Sequence, residues 1–122
     1  DFIVLCAGKD GDFSLEDTVC AGMLISLLTS KAAPGAYVLT DSSLGASRLY
    51  SAYKNDLLKM LYDSEHGQYL VSQGFESDLA ECAKVDKYNL LPLLRSGVVK
   101  LIEAFESDPK LTMKRVNQKS AS

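Results

Sequence analysis

The chain has 122 residues, 47% of them apolar, which is enough for one compact domain or one lobe of a larger protein. Thirteen Lys and Arg face sixteen Asp and Glu, and four of the basic residues (Lys110, Lys114, Arg115, Lys119) lie in the last thirteen positions, so residues 1–109 carry nine basic and sixteen acidic groups, a formal net of −7. An acidic body excludes a nucleic-acid surface, whose footprint is a basic patch, and neither a membrane-length apolar run nor a signal-peptide pattern is present.

Phe2-Ile3-Val4-Leu5 is a short apolar run of β-formers and reads as a buried strand. A polar loop follows from Cys6 through Gly8-Lys9-Asp10-Gly11-Asp12 to Ser14. Beyond it Leu15, Val19, Met23 and Leu27, with Cys20, Leu24 and Leu28 beside them, form an i, i+4 ladder predicting an amphipathic helix to about Ser30. Ser14 suits the N-cap, and Asp17 three residues on takes the capping-box position. Strand, glycine-containing loop and capped helix together make an anion-binding arrangement, because loop and first turn offer N–H groups and the positive end of the helix dipole. The glycines fit neither G-x-G-x-x-G nor the P-loop spacing. Cys6, Cys20 and Cys82 are an odd number without metal-type spacing, and Cys6 and Cys20 sit in apolar runs with no basic neighbour, so all three are expected as buried free thiols of a reducing cytoplasm, not nucleophiles.

Ala33-Pro34-Gly35 makes a turn, Tyr37-Val38-Leu39-Thr40 a second short strand or extended piece, and Asp41-Ser42-Ser43 a cap for the next helix. That helix directs Leu44, Tyr50, Leu57, Leu58 and Leu61 to the core and leaves Lys54 and Lys59 exposed. Its small-residue start, Leu44-Gly45-Ala46-Ser47, favours close packing over ligand approach. Ser64 caps a shorter helix with Leu70 and Val71 inside, stopped by Gly74 at C′ with Phe75 as its apolar contact. A further short helix spans Asp78 to Ala83. Asn89 to Leu94, interrupted by Pro92, reads as an edge strand or extended arm. After the turn Arg95-Ser96-Gly97, Val98 to Ile102 either pairs back as a hairpin or begins a last helix through Phe105. Residues 106–122 read as a polar, basic, mobile tail beyond a lobe of residues 1–105. Strands alternating with helices indicate a three-layer α/β/α arrangement.

The run CAG-x-x-G-x-FSLED-x-x-CAG, Cys6 to Gly22, resembles a signature of the 2-phosphosulfolactate phosphatases, and a second run, Ser64-Glu65-His66-Gly67 with Tyr69-Leu70, Gly74-Phe75, Asp78-Leu79, Cys82-Ala83 and Val85-Asp86, follows in the family's order with Pro92 close behind. The resemblance spans about residues 1 to 100 and corresponds to the family's second half, so an N-terminal half of the same protein is expected as a partner, completing a mixed sheet shared by two similar lobes. It implies magnesium-dependent hydrolysis of a phosphate monoester, 2-phosphosulfolactate, to 3-sulfolactate and phosphate on the route to coenzyme M. On that basis the substrate is a small anionic phosphosulfonate, held by the N–H groups of Gly8, Lys9 and Gly11, the Lys9 ammonium and the Ser14 hydroxyl. Magnesium needs only one or two carboxylates beside substrate oxygens and water; Glu16 is the first candidate and Asp10 the second. His66, the chain's one histidine, is the candidate acid for the leaving alkoxide. Two rivals stand beside this reading: an anion-binding or structural module of the same fold without turnover, and a phosphatase for another small phospho-acid. A homodimer packed through the Pro92 arm is also open.

Overall fold

A computed structural model describes residues 2–33, 35–88 and 90–103. The chain divides after Val85 into two units.

The first unit is helical. Helix α1 (Leu15–Ser30) starts where Ser14, in extended conformation, accepts the Asp17 N–H on its hydroxyl. Helix α2 (Asp41–Tyr53) is capped by Thr40, one residue before the expected cap, through the Ser43 N–H. The long helix expected through Leu61 is instead two. The chain turns at Lys54–Asp56, and the Asp56 carboxylate, accepting from the Lys59 N–H at 2.9 Å, starts α3 (Leu57–Asp63). A carboxylate that bonds to the main chain three residues ahead stabilises a new helix start over continuation. Helix α4 (Glu65–Ser72) is capped by Ser64, as expected, and ends with the Phe75 N–H on the Leu70 carbonyl and the Gly74 N–H on that of Val71. Gly74 sits at φ +83°, the left-handed conformation such a stop requires. Helix α5 (Glu76–Cys82) begins two residues earlier than anticipated.

Val19, Met60, Leu61 and Leu79 form the core, with Leu15, Tyr50, Leu70 and Val71 packed around them. Leu44 was expected inside and is exposed. Helices α1 and α2 meet at Gly22, where a β-carbon would collide with the Ala46 carbonyl. The small-residue start of α2 is therefore used for packing.

The buried strand expected at residues 2–5 is corrected, and of the two alternatives for residues 37–40 the strand is not formed: neither segment belongs to a ladder among the described residues. A strand is stable only when its N–H and C=O groups find a neighbouring strand, and β-propensity alone does not supply one. The thiols are corrected too: Cys6, Cys20 and Cys82 are all exposed. Apolar sequence around a cysteine puts it inside only where a second layer covers that face.

The second unit contains an antiparallel hairpin, β1 (Leu90–Arg95) and β2 (Val98–Glu103), with Leu90 opposite Glu103 and Arg95 opposite Val98. Ser96 and Gly97, at φ +50° and +77°, make the two-residue turn that matches strand twist. This resolves the hairpin-or-helix alternative. The described residues thus hold helices and one two-stranded sheet, and the mixed sheet of a three-layer fold is not assembled from them. The tail from 106 lies outside the described residues. No helix among them is long and apolar enough to cross a membrane.

Candidate functional site

The loop before α1 is tight and left-handed at three positions, with Gly8, Asp10 and Gly11 at φ +71°, +54° and +89°. Lys9 and Asp12 exchange main-chain hydrogen bonds at 3.2 and 2.8 Å, which turns the chain over Asp10-Gly11. At Gly8 a β-carbon would press on the Asp12 carbonyl, so only glycine fits there. The Gly8 N–H donates to Asp17 Oδ2 at 2.8 Å, fastening the loop to the first turn of the helix. Asp17 therefore does not complete a capping box by reaching back to Ser14; its carboxylate holds the loop. Of the three amides expected to meet an anion, those of Gly8 and Lys9 are engaged within the loop, and that of Gly11 makes no hydrogen bond among the described residues.

Glu16 is where the two sequence motifs meet. Its Oε2 accepts from the Ser14 hydroxyl at 3.0 Å, and its Oε1 accepts from the Ser64 hydroxyl at 2.8 Å, across 48 residues of sequence. Ser64 is only 2% exposed. Its hydroxyl proton is shared between Glu16 and the Leu61 carbonyl at 2.9 Å, and its oxygen accepts the Gly67 N–H at 2.9 Å. One serine thus ends α3, caps α4 and grips α1. Burial would raise the Glu16 pKa, but hydrogen bonds from its own main-chain N–H, Ser64 and Ser14, with the nearby His66, together hold it below its ordinary 4.5.

His66, at the second position of α4, is exposed and stacks on Tyr69 with ring centroids 6.2 Å apart and planes 20° from parallel. The Lys9 ammonium lies over the same Tyr69 ring, 5.5 Å from its centroid, a cation–π distance. Lys9, Tyr69 and His66 thus form a chain of contacts from loop to α4 beside the Glu16–Ser64 bond. Asp10 and Asp12 are exposed on the loop and no contact brings either to Glu16. Among the described residues no three His, Cys, Asp or Glu side chains converge to cage a metal. An ionised Glu16 retains one lone pair on each oxygen, so it fits a cation that keeps most of its water and takes one carboxylate, the habit of magnesium.

Sequence reasoning named Ser14, Glu16 and His66 as site candidates, whereas Ser64 and Tyr69, both quoted in the second motif, were given no role in the site beyond the Ser64 cap. The signal available for Ser64 was its membership of the second motif together with a hydroxyl that a cap leaves free to donate. For Tyr69 it was the i, i+3 spacing from the one histidine.

Because Glu16 is held ionised when folded, its contribution to stability is full above the ordinary carboxylate range and is lost as the pH falls below 4.5 through its lowered value. Ser64→Ala removes a cap and the donor to Glu16, and is expected to cost about 2 kcal/mol in urea unfolding and to move the Glu16 pKa upward. NMR titration of the Glu16 side chain checks the second effect. An unmoved value would show that Ser64 does not support this charge.

The sequence profile of the family described as 2-phosphosulpholactate phosphatase matches residues 1–97. A protein of Symbiobacterium thermophilum named as a probable 2-phosphosulfolactate phosphatase is 40% identical over 104 residues, covering 84% of this chain and 43% of that protein. Proteins of the same name from Thermosynechococcus vestitus and Gloeobacter violaceus are 41% and 37% identical, each over 73% of this chain and 37% and 35% of their own lengths. The chain therefore spans less than half of each of these relatives. No solved structure matches it.

Proposed function

Because the chain belongs to the 2-phosphosulpholactate phosphatase family, we propose that the protein it forms part of hydrolyses 2-phosphosulfolactate to 3-sulfolactate and phosphate, with magnesium, in the cytoplasm. The observation that carries this reading is the hydrogen bond between Ser64 and Glu16, which brings the Gly8–Ser14 loop and the start of α4 into one polar site with a held negative charge.

In this site the Lys9 ammonium, the Gly11 N–H and the N–H groups freed when the loop exchanges its own bonds for substrate oxygens face the phosphoryl group. The Gly8 backbone, kept small, lets the anion approach, and the Ser14 hydroxyl orients Glu16 from the loop side. Glu16 would hold the magnesium ion as its one carboxylate ligand from this chain, Asp10 not being joined to it by any contact, and the ion when bound neutralises charge on the phosphoryl oxygens. His66 delivers a proton to the alkoxide that leaves as sulfolactate, and Tyr69 keeps the imidazole and the Lys9 ammonium apart and aligned. A three-layer fold around a mixed sheet is proposed with the function, since the family's remaining sequence would have to supply its other strands.

A second reading, an anion-binding module without turnover, is favoured by one feature: both Glu16 oxygens already accept serine hydrogen bonds, which is also what a purely structural carboxylate does. Phosphate release from 2-phosphosulfolactate by the full-length parent protein separates the two. Turnover with magnesium, abolished by chelator and restored by added magnesium, is the expected result. Thermal stabilisation by the substrate with no phosphate released would establish the binding module instead.

A further inference from the structure

Asp10-Gly11, at the tip of the loop before α1, is the one Asp–Gly pair of the chain, which has no Asn–Gly pair. Positive φ at both residues, +54° and +89°, with Lys9 and Asp12 exchanging main-chain hydrogen bonds across them, makes this a type I′ turn. Both residues are exposed, and a β-carbon at Gly11 would meet nothing. Among the described residues the Asp10 carboxylate makes no hydrogen bond or ion pair, and the Gly11 N–H makes no hydrogen bond. An unpaired carboxyl group thus stands next to an unpaired amide nitrogen that no side chain shields.

The two groups meet when the Asp10 β-carbon and the Gly11 nitrogen are eclipsed about the Cα–C bond, as in a five-membered ring. For an L-residue that means ψ of about −120°, the value at the first central position of a type II′ turn, whose φ of about +60° Asp10 already has. Residues with negative φ are kept from this ψ by steric clashes. Rotating the Asp10–Gly11 peptide converts the type I′ turn into type II′. The rotation changes only the Asp10 ψ and the Gly11 φ, and both turn types close the same two-residue hairpin, so the Lys9–Asp12 hydrogen bonds are kept. Gly11 must then take a negative φ, which glycine adopts as readily as a positive one. The observed turn is therefore one peptide rotation from ring closure, with no opening of the loop. Asp86 shares the φ of +54° but is followed by Lys87, whose β-carbon crowds the attacking nitrogen.

We propose that Asp10-Gly11 is a site of spontaneous isoaspartate formation in the folded protein. Asp10 reacts as the neutral acid. The Gly11 nitrogen bonds to Asp10 Cγ and gives up its proton, the Cγ–OH bond breaks, and the hydroxyl leaves with that proton as water, closing a succinimide. Water then adds to one of the two ring carbonyls. Breaking the bond from nitrogen to Cγ restores aspartate. Breaking the bond from nitrogen to the main-chain carbonyl carbon of Asp10 leaves the chain running through Cγ, an isoaspartate of unchanged mass with its free carboxylate on Cα. The product carries one more backbone carbon between Lys9 and Asp12, so the tight turn and its paired hydrogen bonds are lost. In the proposed function the N–H groups of this loop face the phosphoryl group, and the modification would misplace them. The chemistry itself rests on the turn and not on that reading.

The test incubates the folded full-length parent protein in isotopically heavy water-oxygen at neutral pH, beside a synthetic peptide of residues 8–14, too short to hold the turn by itself. Peptide mapping with fragmentation that separates the two isomers locates isoaspartate, and uptake of heavy oxygen shows that it came through the ring. Asp10 should accumulate isoaspartate ahead of every other aspartate of the chain, Asp86 included. Its rate in the folded protein should stay within about 10-fold of the peptide's, since no local opening has to come first. Asp10→Asn closes the same ring by expelling ammonia, and should convert faster with a measurable gain in mass. Asp10→Glu, whose ring would have six members, should form no isomer at this position. A folded-state rate more than about 10-fold below the peptide's, as for a group that reacts only in locally opened molecules, would mean that the turn protects the pair and overturns the proposal. Isoaspartate arising first at another aspartate of the chain overturns it equally.

Discussion

His66→Asn in the full-length parent protein is expected to lower kcat for 2-phosphosulfolactate by about 10²–10⁴-fold, the usual contribution of a positioned general acid, with KM changed far less. The leaving group of this substrate is an aliphatic alkoxide, a strong base that departs slowly unless a proton reaches it. His66 is exposed at the start of α4, its ring set by Tyr69 and close enough to Glu16 to lower that carboxylate's pKa, so it can serve a substrate held by the loop. The role predicts a dependence on leaving group. An aryl phosphate whose phenol is acidic needs no proton, and its hydrolysis should be nearly indifferent to His66→Asn. Equal loss for both substrates would make His66 a binding residue rather than an acid. Glu16→Gln keeps the shape and one acceptor but removes the charge, and its loss should shrink as magnesium is raised if Glu16 helps to hold the ion. If Glu16→Gln turns over normally at limiting magnesium, the carboxylate has only its structural part.

Gly67→Ala is expected to destabilise the chain by about 3 kcal/mol, near the upper end of the usual range for overpacking, measured as a lower urea midpoint with unchanged slope. A β-carbon at Gly67 would run into the Leu61 carbonyl and press on Ser64 Oγ at 2.9 Å. Neither can give easily. The Leu61 carbonyl accepts the Ser64 hydroxyl, and that hydroxyl caps α4 and holds Glu16. The substitution is therefore expected to disturb the site as well as the fold, and NMR should show the Glu16 side chain responding. The same change at Gly45, where a β-carbon meets nothing, is the control and should be neutral or slightly stabilising. A Gly67→Ala protein as stable as that control would mean that α3 and α4 are not pinned together by this contact.

Much of the local structure was legible in the sequence because its causes are local. The Ser14 and Ser64 caps, the Gly74 stop and the turn at Ser96-Gly97 each depend on a few neighbouring residues whose side chains or φ preferences act directly on the main chain. The break at Asp56 was legible in principle, since an aspartate followed three residues later by a helical N–H is a start signal, but the apolar spacing running from Tyr50 to Leu61 concealed it. The site was half legible. The sequence marked Ser14, Glu16 and His66 as one group through two separated motifs, whereas the atoms that join them, the Ser64 hydroxyl and the Tyr69 ring, act across the fold and carry no periodicity.

By itself the sequence determined the Ser14 and Ser64 helix starts, the Gly74 stop, and that two polar motifs belong to a phosphatase family. Only the tertiary structure decided which apolar segments are covered. Phe2–Leu5 has the composition of a strand and Cys20 the setting of a buried thiol, yet pairing and burial are properties of two surfaces in contact, and a sequence describes only one of them at a time.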